Sequence, residues 1–287
     1  MRFSFSTNAF TRFSVFEAVE KIAAAGYDGV ELLADAPHLY ADWITEADIE
    51  QLREVLDRTG VRVANINANT ASGYYGRALW EPVFEPSLAN PEKSEREWRI
   101  AYTRKCIDMA QALSSPNVSV TSGRMVPGVS PEESRKLLRE SLAEVLDYAG
   151  EKGVRVGMEY EPGLLVECGA ELRELIDAVG SPVFGANIDM GHSNVLGEKP
   201  EEIVPLLTPA IFHTHIEDIR GRKHYHLIPG EGDVDFGTIF KELARSGYDG
   251  FLTVELYTCP DRPEEAADLA IRHLKPILQQ FGRIQEK

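Results

Sequence analysis

Eight short apolar runs alternate with eight amphipathic stretches along this chain, and no other feature restricts its fold so strongly. The runs fall at about 2–6, 29–33, 61–67, 118–121, 154–161, 184–189, 211–216 and 251–256. Helical spacing follows each, at about 14–25, 46–58, 94–113, 131–151, 172–179, 200–207, 236–246 and 263–281. In the second of these Ile49, Leu52 and Leu56 return to one helix face. Some junctions repeat. Gly26-Tyr27-Asp28-Gly29-Val30-Glu31-Leu32 resembles Gly247-Tyr248-Asp249-Gly250, which reaches Val254-Glu255-Leu256 shortly afterwards, and Gly60-Val61-Arg62-Val63 resembles Gly153-Val154-Arg155-Val156. A glycine that stops a helix and leads into a strand is the recurring joint of a (β/α)8 barrel. The pattern predicts an α/β chain forming one such barrel over residues 1–287. One connection, at about 71–93, is too long for an ordinary turn and carries Tyr74, Tyr75, Trp80 and Phe84. It reads either as a surface insertion or as a lid over a pocket mouth.

Composition narrows the partners. Acidic residues outnumber basic ones 46 to 30, for a net charge of −16, which disfavours nucleic acid and anionic membranes. Three widely spaced cysteines, Cys106, Cys168 and Cys259, make no disulfide framework. The first residues lack the apolar core of a signal peptide, and no run approaches membrane-spanning length. These features predict a soluble, cytoplasmic protein with a small-molecule partner. They leave the oligomeric state open, a homo-oligomer included.

In a barrel of this kind, chemistry collects at the C-terminal ends of the strands. Strand five ends in Glu159-Tyr160-Glu161 and strand six in Asp189-Met190-Gly191-His192. Strand seven carries His213-Thr214-His215, and strand eight ends in Glu255. Carboxylates facing inward at one level repel one another unless a cation lies between them. Four successive strand ends of this kind point to a divalent metal. Single residues allow other readings. Asp189 could cap a helix, Glu159 and Glu161 share a strand face, and so do His213 and His215. Five of the seven histidines fall between residues 192 and 226.

These strand ends, Gly157-Met158-Glu159, Ile188-Asp189-Met190-Gly191-His192, His215-Ile216-Glu217-Asp218 and Val254-Glu255-Leu256, resemble those of the xylose isomerase-like TIM-barrel superfamily. That group includes sugar isomerases and epimerases, inosose isomerases and dehydratases, and endonuclease IV-type enzymes. The similarity is clearest from about residue 150 to 265. It implies one divalent metal held by Glu159, Asp189, His215 and Glu255, preferring Glu159 over Glu161 and His215 over His213. Three carboxylates and one imidazole suit manganese first, with magnesium, cobalt or zinc as alternatives. The resemblance further implies that Glu159 and Glu255 exchange protons with a keto-sugar, polyol or cyclitol through a metal-stabilised enediolate. His192 and Arg220 would contact substrate, with Glu161 and His226 as further contacts. A dehydratase acting on an inosose or oxidised sugar shares the same enolate and is the alternative. An endonuclease IV-type phosphodiesterase is more distant. The Asp-x-His pair of those enzymes reads His224-Tyr225-His226 here, and the strand ends that would supply more histidines carry Asn67, Asn69, Thr121 and Ser122.

Overall fold

A computed structural model describes residues 1–79 and 82–281. Its strands are β1 (Arg2–Ser6), β2 (Gly29–Leu33), β3 (Arg62–Asn67), β4 (Asn117–Thr121), β5 (Arg155–Glu159), β6 (Phe184–Asp189), β7 (Ile211–Ile216), β8 (Asp218–Arg220), β9 (Lys223–Leu227) and β10 (Phe251–Val254). The helices are α1 (Val15–Ala24), α2 (Glu46–Thr59), α3 (Lys93–Ala112), α4 (Pro131–Lys152), α5 (Gly169–Val179), α6 (Met190–Leu196), α7 (Pro200–Leu207), α8 (Phe236–Arg245) and α9 (Pro263–Gln279). Eight strands close into a parallel barrel in the order β1-β10-β7-β6-β5-β4-β3-β2, so the predicted (β/α)8 barrel is what the chain forms. Short elements additional to those expected are the β8–β9 antiparallel hairpin and helix α6, both on the site side of the fold.

Local chemistry sets the joints. Ser14 and Glu17 form a reciprocal capping box at the start of α1, and Thr45 and Asp48 do the same for α2. Gly60, Gly153 and Gly180 end α2, α4 and α5 in the left-handed conformation, releasing the chain into the next strand or loop.

Strand alternation divides the barrel wall. Phe3 and Phe5, Val30 and Leu32, Val118 and Val120, and Leu252 and Val254 all belong to the buried apolar core. Phe3 packs edge-on against Phe240 of α8, and Phe5 against Tyr27. The intervening positions are polar. Ser4 bonds Thr253, Thr253 bonds His213, His213 bonds Glu31, Glu31 bonds Asn65, and Asn65 bonds Ser119. Branched aliphatic side chains usually fill this interior. Here a hydrogen-bonded polar layer does so, its burial cost offset because its members find partners.

The connection between β3 and α3 is tied down at both sides. Asp35 accepts from the backbone of Ser72 and Gly73 at 2.8 and 2.7 Å. Arg99 of α3 is fully buried and donates to the carbonyls of Pro86, Ala68 and Thr70 at 2.6, 3.2 and 3.2 Å. Tyr74 and Tyr75 face outward, Tyr74 against Trp98, while Phe84 is buried. Trp80 lies outside the described residues.

Candidate metal centre and cavity

The four expected ligands converge. One side-chain atom from each of Glu159, Asp189, His215 and Glu255 lies within 4.8 Å of the others, and all four residues are buried. Backbone register places Asp189 beside His215 and Thr121 beside Glu159. His215 turns Nδ1 toward the cluster, 3.3 Å from Glu159 Oε2 and 3.6 Å from Glu255 Oε2. Asp189 performs two tasks. Its Oδ1 accepts from the backbone N–H of His192 at 2.8 Å and caps α6, whereas Oδ2 is buried with no hydrogen-bond partner. A buried, unpartnered carboxylate oxygen facing two further carboxylates and an imidazole nitrogen fits a divalent cation, and the donor set is hard.

Side-chain amides hold the other carboxylates. Glu159 Oε2 accepts from Asn69 at 2.6 Å and Asn187 at 2.9 Å. Glu255 Oε1 accepts from Asn8 at 2.9 Å and Asn67 at 3.2 Å. Behind His215, Glu31 accepts from its Nε2 at 2.7 Å and from His213 Nε2 at 3.1 Å. Both histidines therefore face the barrel interior, but His213 points to the polar layer beneath the cluster.

Electrostatics follow from this crowding. Burial alone would raise the Asp189 carboxyl, yet His192, His226, the adjacent Glu217 carboxyl and His215 together bring it below its ordinary value. Burial raises Glu255 well above the carboxylate range, and Glu159, Glu31 and Asp189 add to the effect against the pull of His215. His192 would be lowered by burial, but Asp189, Glu161 and Glu159 lift it to about 9. Burial pushes Glu161 up to about 7, with Glu159 and Asp189 adding to the rise. Glu217, one strand position beyond Ile216, is fully buried, and burial together with Asp189 raises it strongly. Its carboxyl packs directly over Gly191, where an added Cβ would meet Oε1 at 1.5 Å and displace the carboxyl.

A second set of nitrogens adjoins the ring. His192 Nε2 lies 3.1 Å from His224 Nε2, which is 3.2 Å from His226 Nε2. The opposite nitrogens of His192 and His226 contact the carbonyls of Tyr160 and Glu255 at 3.0 and 2.9 Å. These three residues form another group within metal-binding reach.

Above both sets opens a cavity of about 560 Å³. Glu159, Glu161, Glu255, His192, His224, His226, Asn8, Asn67 and Asn69 line it, with Leu79, Pro82, Phe84 and Tyr257 on its walls. The 71–93 connection thus contributes Leu79, Pro82 and Phe84 rather than Tyr74 and Tyr75. Arg220 differs in place from expectation. It is exposed, its guanidinium bonds the Glu231 carbonyl, and it does not line the cavity, because the β8–β9 hairpin carries it outward. Among the described residues the arginine that lines the cavity is Arg124, after β4.

Sequence reasoning did not single out Glu31, Asn8, Glu217 or Arg124. For Glu31 a signal existed: the repeat aligning Val30-Glu31-Leu32 with Val254-Glu255-Leu256 places it at the position of a ligand.

With this geometry in view, comparison with known proteins is decisive about the family. The model of the xylose isomerase-like TIM barrel family matches residues 19–277. The chain belongs to that family. It is 24% identical over 277 residues to fructoselysine 3-epimerase of Shigella flexneri, covering 95% of this chain and 96% of the relative. It is 25% identical over 290 residues to inosose dehydratase of Clostridium perfringens, covering 90% and 88%. The crystal structure of a D-tagatose 3-epimerase-like protein superposes with a TM-score of 0.81 at 25% identity, covering 98% of this chain and 99% of that one. No described helix of this family member is long and apolar enough to cross a membrane.

Proposed function

We propose that this chain is a divalent-metal-dependent isomerase or epimerase acting on a keto-sugar, polyol or cyclitol by proton transfer. One observation carries the reading. Glu159 and Glu255 are two buried carboxylates, each held by a pair of side-chain amides, that flank one imidazole ligand and line the same cavity. Glu159, Asp189, His215 and Glu255 would hold the cation, manganese by the hardness of the set. When bound, it supplies Lewis-acid polarisation of a substrate carbonyl.

The chain's own groups do the remaining work. One of Glu159 and Glu255 removes the proton α to the carbonyl, and the other returns a proton to the opposite face or the neighbouring carbon. Asn69, Asn187, Asn8 and Asn67 fix the reacting oxygens, so little reorganisation accompanies transfer. His192, His226, Glu161 and Arg124 orient hydroxyls from the cavity wall. Leu79, Pro82 and Phe84 exclude water. The substrate is a small sugar-like molecule, in keeping with the epimerase relatives.

The likeness to inosose dehydratase favours a second reading, in which the same proton abstraction is followed by loss of a β-hydroxyl. One experiment addresses both. The protein is incubated with manganese in deuterated water and a panel of ketohexoses, their N-substituted conjugates and inososes. Deuterium entering a carbon α to the carbonyl with the skeleton intact is the expected result. Loss of a hydroxyl moves the assignment to dehydratase, and no exchange on any member sinks the proton-transfer reading.

A further inference from the structure

Glu31 lies in β2, three strands round the closed barrel from β7, and is not one of the four converging ligands, although with His213 and His215 it forms a separate buried group of close donor atoms. It is 0% exposed, and all four of its side-chain partners are themselves in the buried interior. Its Oε2 takes His215 Nε2 at 2.7 Å, His213 Nε2 at 3.1 Å and Asn65 Nδ2 at 2.9 Å, and Oε1 takes Asn67 Nδ2 at 3.1 Å. An ionised carboxylate only accepts, so the Nε2 atom it faces carries the proton. In the neutral imidazole that a cation would require, the other nitrogen, Nδ1, then presents its lone pair, and that is the atom directed at Glu159 and Glu255. Asn67 extends the link, because the same amide that bonds Glu31 also bonds Glu255 Oε1 at 3.2 Å. The register of β2 against β3 shifts between Val30 and Glu31. Such irregularities re-aim a side chain beside a site.

We infer that Glu31 is the positioning residue of the metal centre, fixing the tautomer and ring orientation of His215 and, through Asn67, the carboxylate of Glu255. It acts from 184 positions away in sequence and does not line the cavity. This rests on the metal-binding reading above. A packing role alone would also leave Glu31 buried, so the distinction needs a readout of the ligand atom. Thr253 supplies the comparison. It belongs to the same polar layer and sits beside His215 in the β10–β7 register, but its side chain bonds Ser4 and His213 rather than the imidazole of His215.

Mn2+ affinity is measured by EPR titration for the full-length wild type, Glu31→Gln and Thr253→Val, alongside thermal melting of each metal-free protein. Glu31→Gln should bind Mn2+ about 10- to 100-fold more weakly, the usual scale for a residue bonded behind a ligand. Thr253→Val should melt earlier yet keep near wild-type affinity. Equal affinity of wild type and Glu31→Gln overturns the inference, and so does a loss in Thr253→Val as large as in Glu31→Gln. If Glu31→Gln does not fold, the wild type decides. With 15N-labelled histidine and 113Cd2+, the cadmium coupling must fall on His215 Nδ1, and coupling to Nε2 refutes the role. A wild type that binds neither ion removes the metal reading itself, and with it this inference.

Discussion

The two halves of the barrel divide the labour. Strands β5, β6, β7 and β10 end in Glu159, Asp189, His215 and Glu255, the groups that meet in the candidate metal centre. Strands β1 to β4 and the turns after them offer Asn8, Glu31, Asn67 and Asn69, which bond those groups without joining them, and Asn187 of β6 adds a donor of the same kind from within the ligand half. The first half concentrates charge that is costly to bury. The second supplies fixed dipoles and one carboxylate that orient that charge. Three carboxylates clustered about one imidazole are tolerable because amides bond Glu159 and Glu255, while Asp189 keeps an unpartnered oxygen that a cation would meet. The halves are thus unequal in what their loss should cost.

The largest effect belongs to the ligand half. Asp189→Asn keeps the cap on α6, since asparagine caps as well as aspartate, and removes only the charge of the free oxygen. Differential scanning calorimetry should show that Mn2+ raises the melting temperature of the wild type and not that of Asp189→Asn, while chelator-treated samples of both unfold alike. Glu255→Gln should lower kcat by about 10²- to 10⁴-fold, the range for a general acid–base group. Full turnover by Glu255→Gln on an identified substrate would remove Glu255 from the chemistry and reduce the comparison to one of metal binding.

The ligand half was also the legible half. A glutamate or histidine ending an apolar run is conspicuous, because nothing in a core rewards it, and four such ends recur at one level. Barrel topology followed from the alternation for the same reason, since period-2 and period-3.6 patterns are local. The supporting half is quieter. Asn8, Asn67 and Asn69 sit where asparagine usually makes a turn, so their type carries no message until the fold brings carboxylates to them. Glu31 resembles Glu255 in its local sequence, but its bond to His215 spans the barrel and cannot be read along the chain. Arg220 is the opposite case. Its expected substrate contact comes from resemblance to the family, and the hairpin formed by β8 and β9, which no local pattern announces, holds it exposed against the Glu231 carbonyl.

A smaller effect should come from the amides. Asn69→Ala removes one of two donors to Glu159, and Asn67→Ala one of two donors to Glu255. Each should reduce kcat/KM by about 10- to 100-fold, as for other groups bonded behind a reacting residue. Mn2+ affinity should fall less than in Glu31→Gln, because a second amide remains on each carboxylate. If either variant lost metal as completely as Asp189→Asn, the distinction between ligand and support would not hold for that strand.

The smallest predicted difference separates two arginines that sequence alone would rank the other way. Arg220 is exposed and bonds a backbone carbonyl at the hairpin, a setting in which substitution changes stability by no more than about 0.5 kcal/mol. Because Arg220 does not line the cavity, Arg220→Ala should also leave kcat and KM within about twofold of wild type. Arg124 lines the cavity on the supporting side, after β4, and its charge reaches Glu161. Its guanidinium can meet a substrate oxygen far from the reacting carbons, which is binding common to ground and transition states. Arg124→Ala should accordingly raise KM by about tenfold, the value of one charged hydrogen bond, with kcat nearly unchanged. Steady-state kinetics on the substrate identified by deuterium exchange reads both numbers. A larger penalty at Arg220 than at Arg124 would mean that the β8–β9 hairpin folds inward over bound substrate, and that the cavity's cation comes from the ligand half after all.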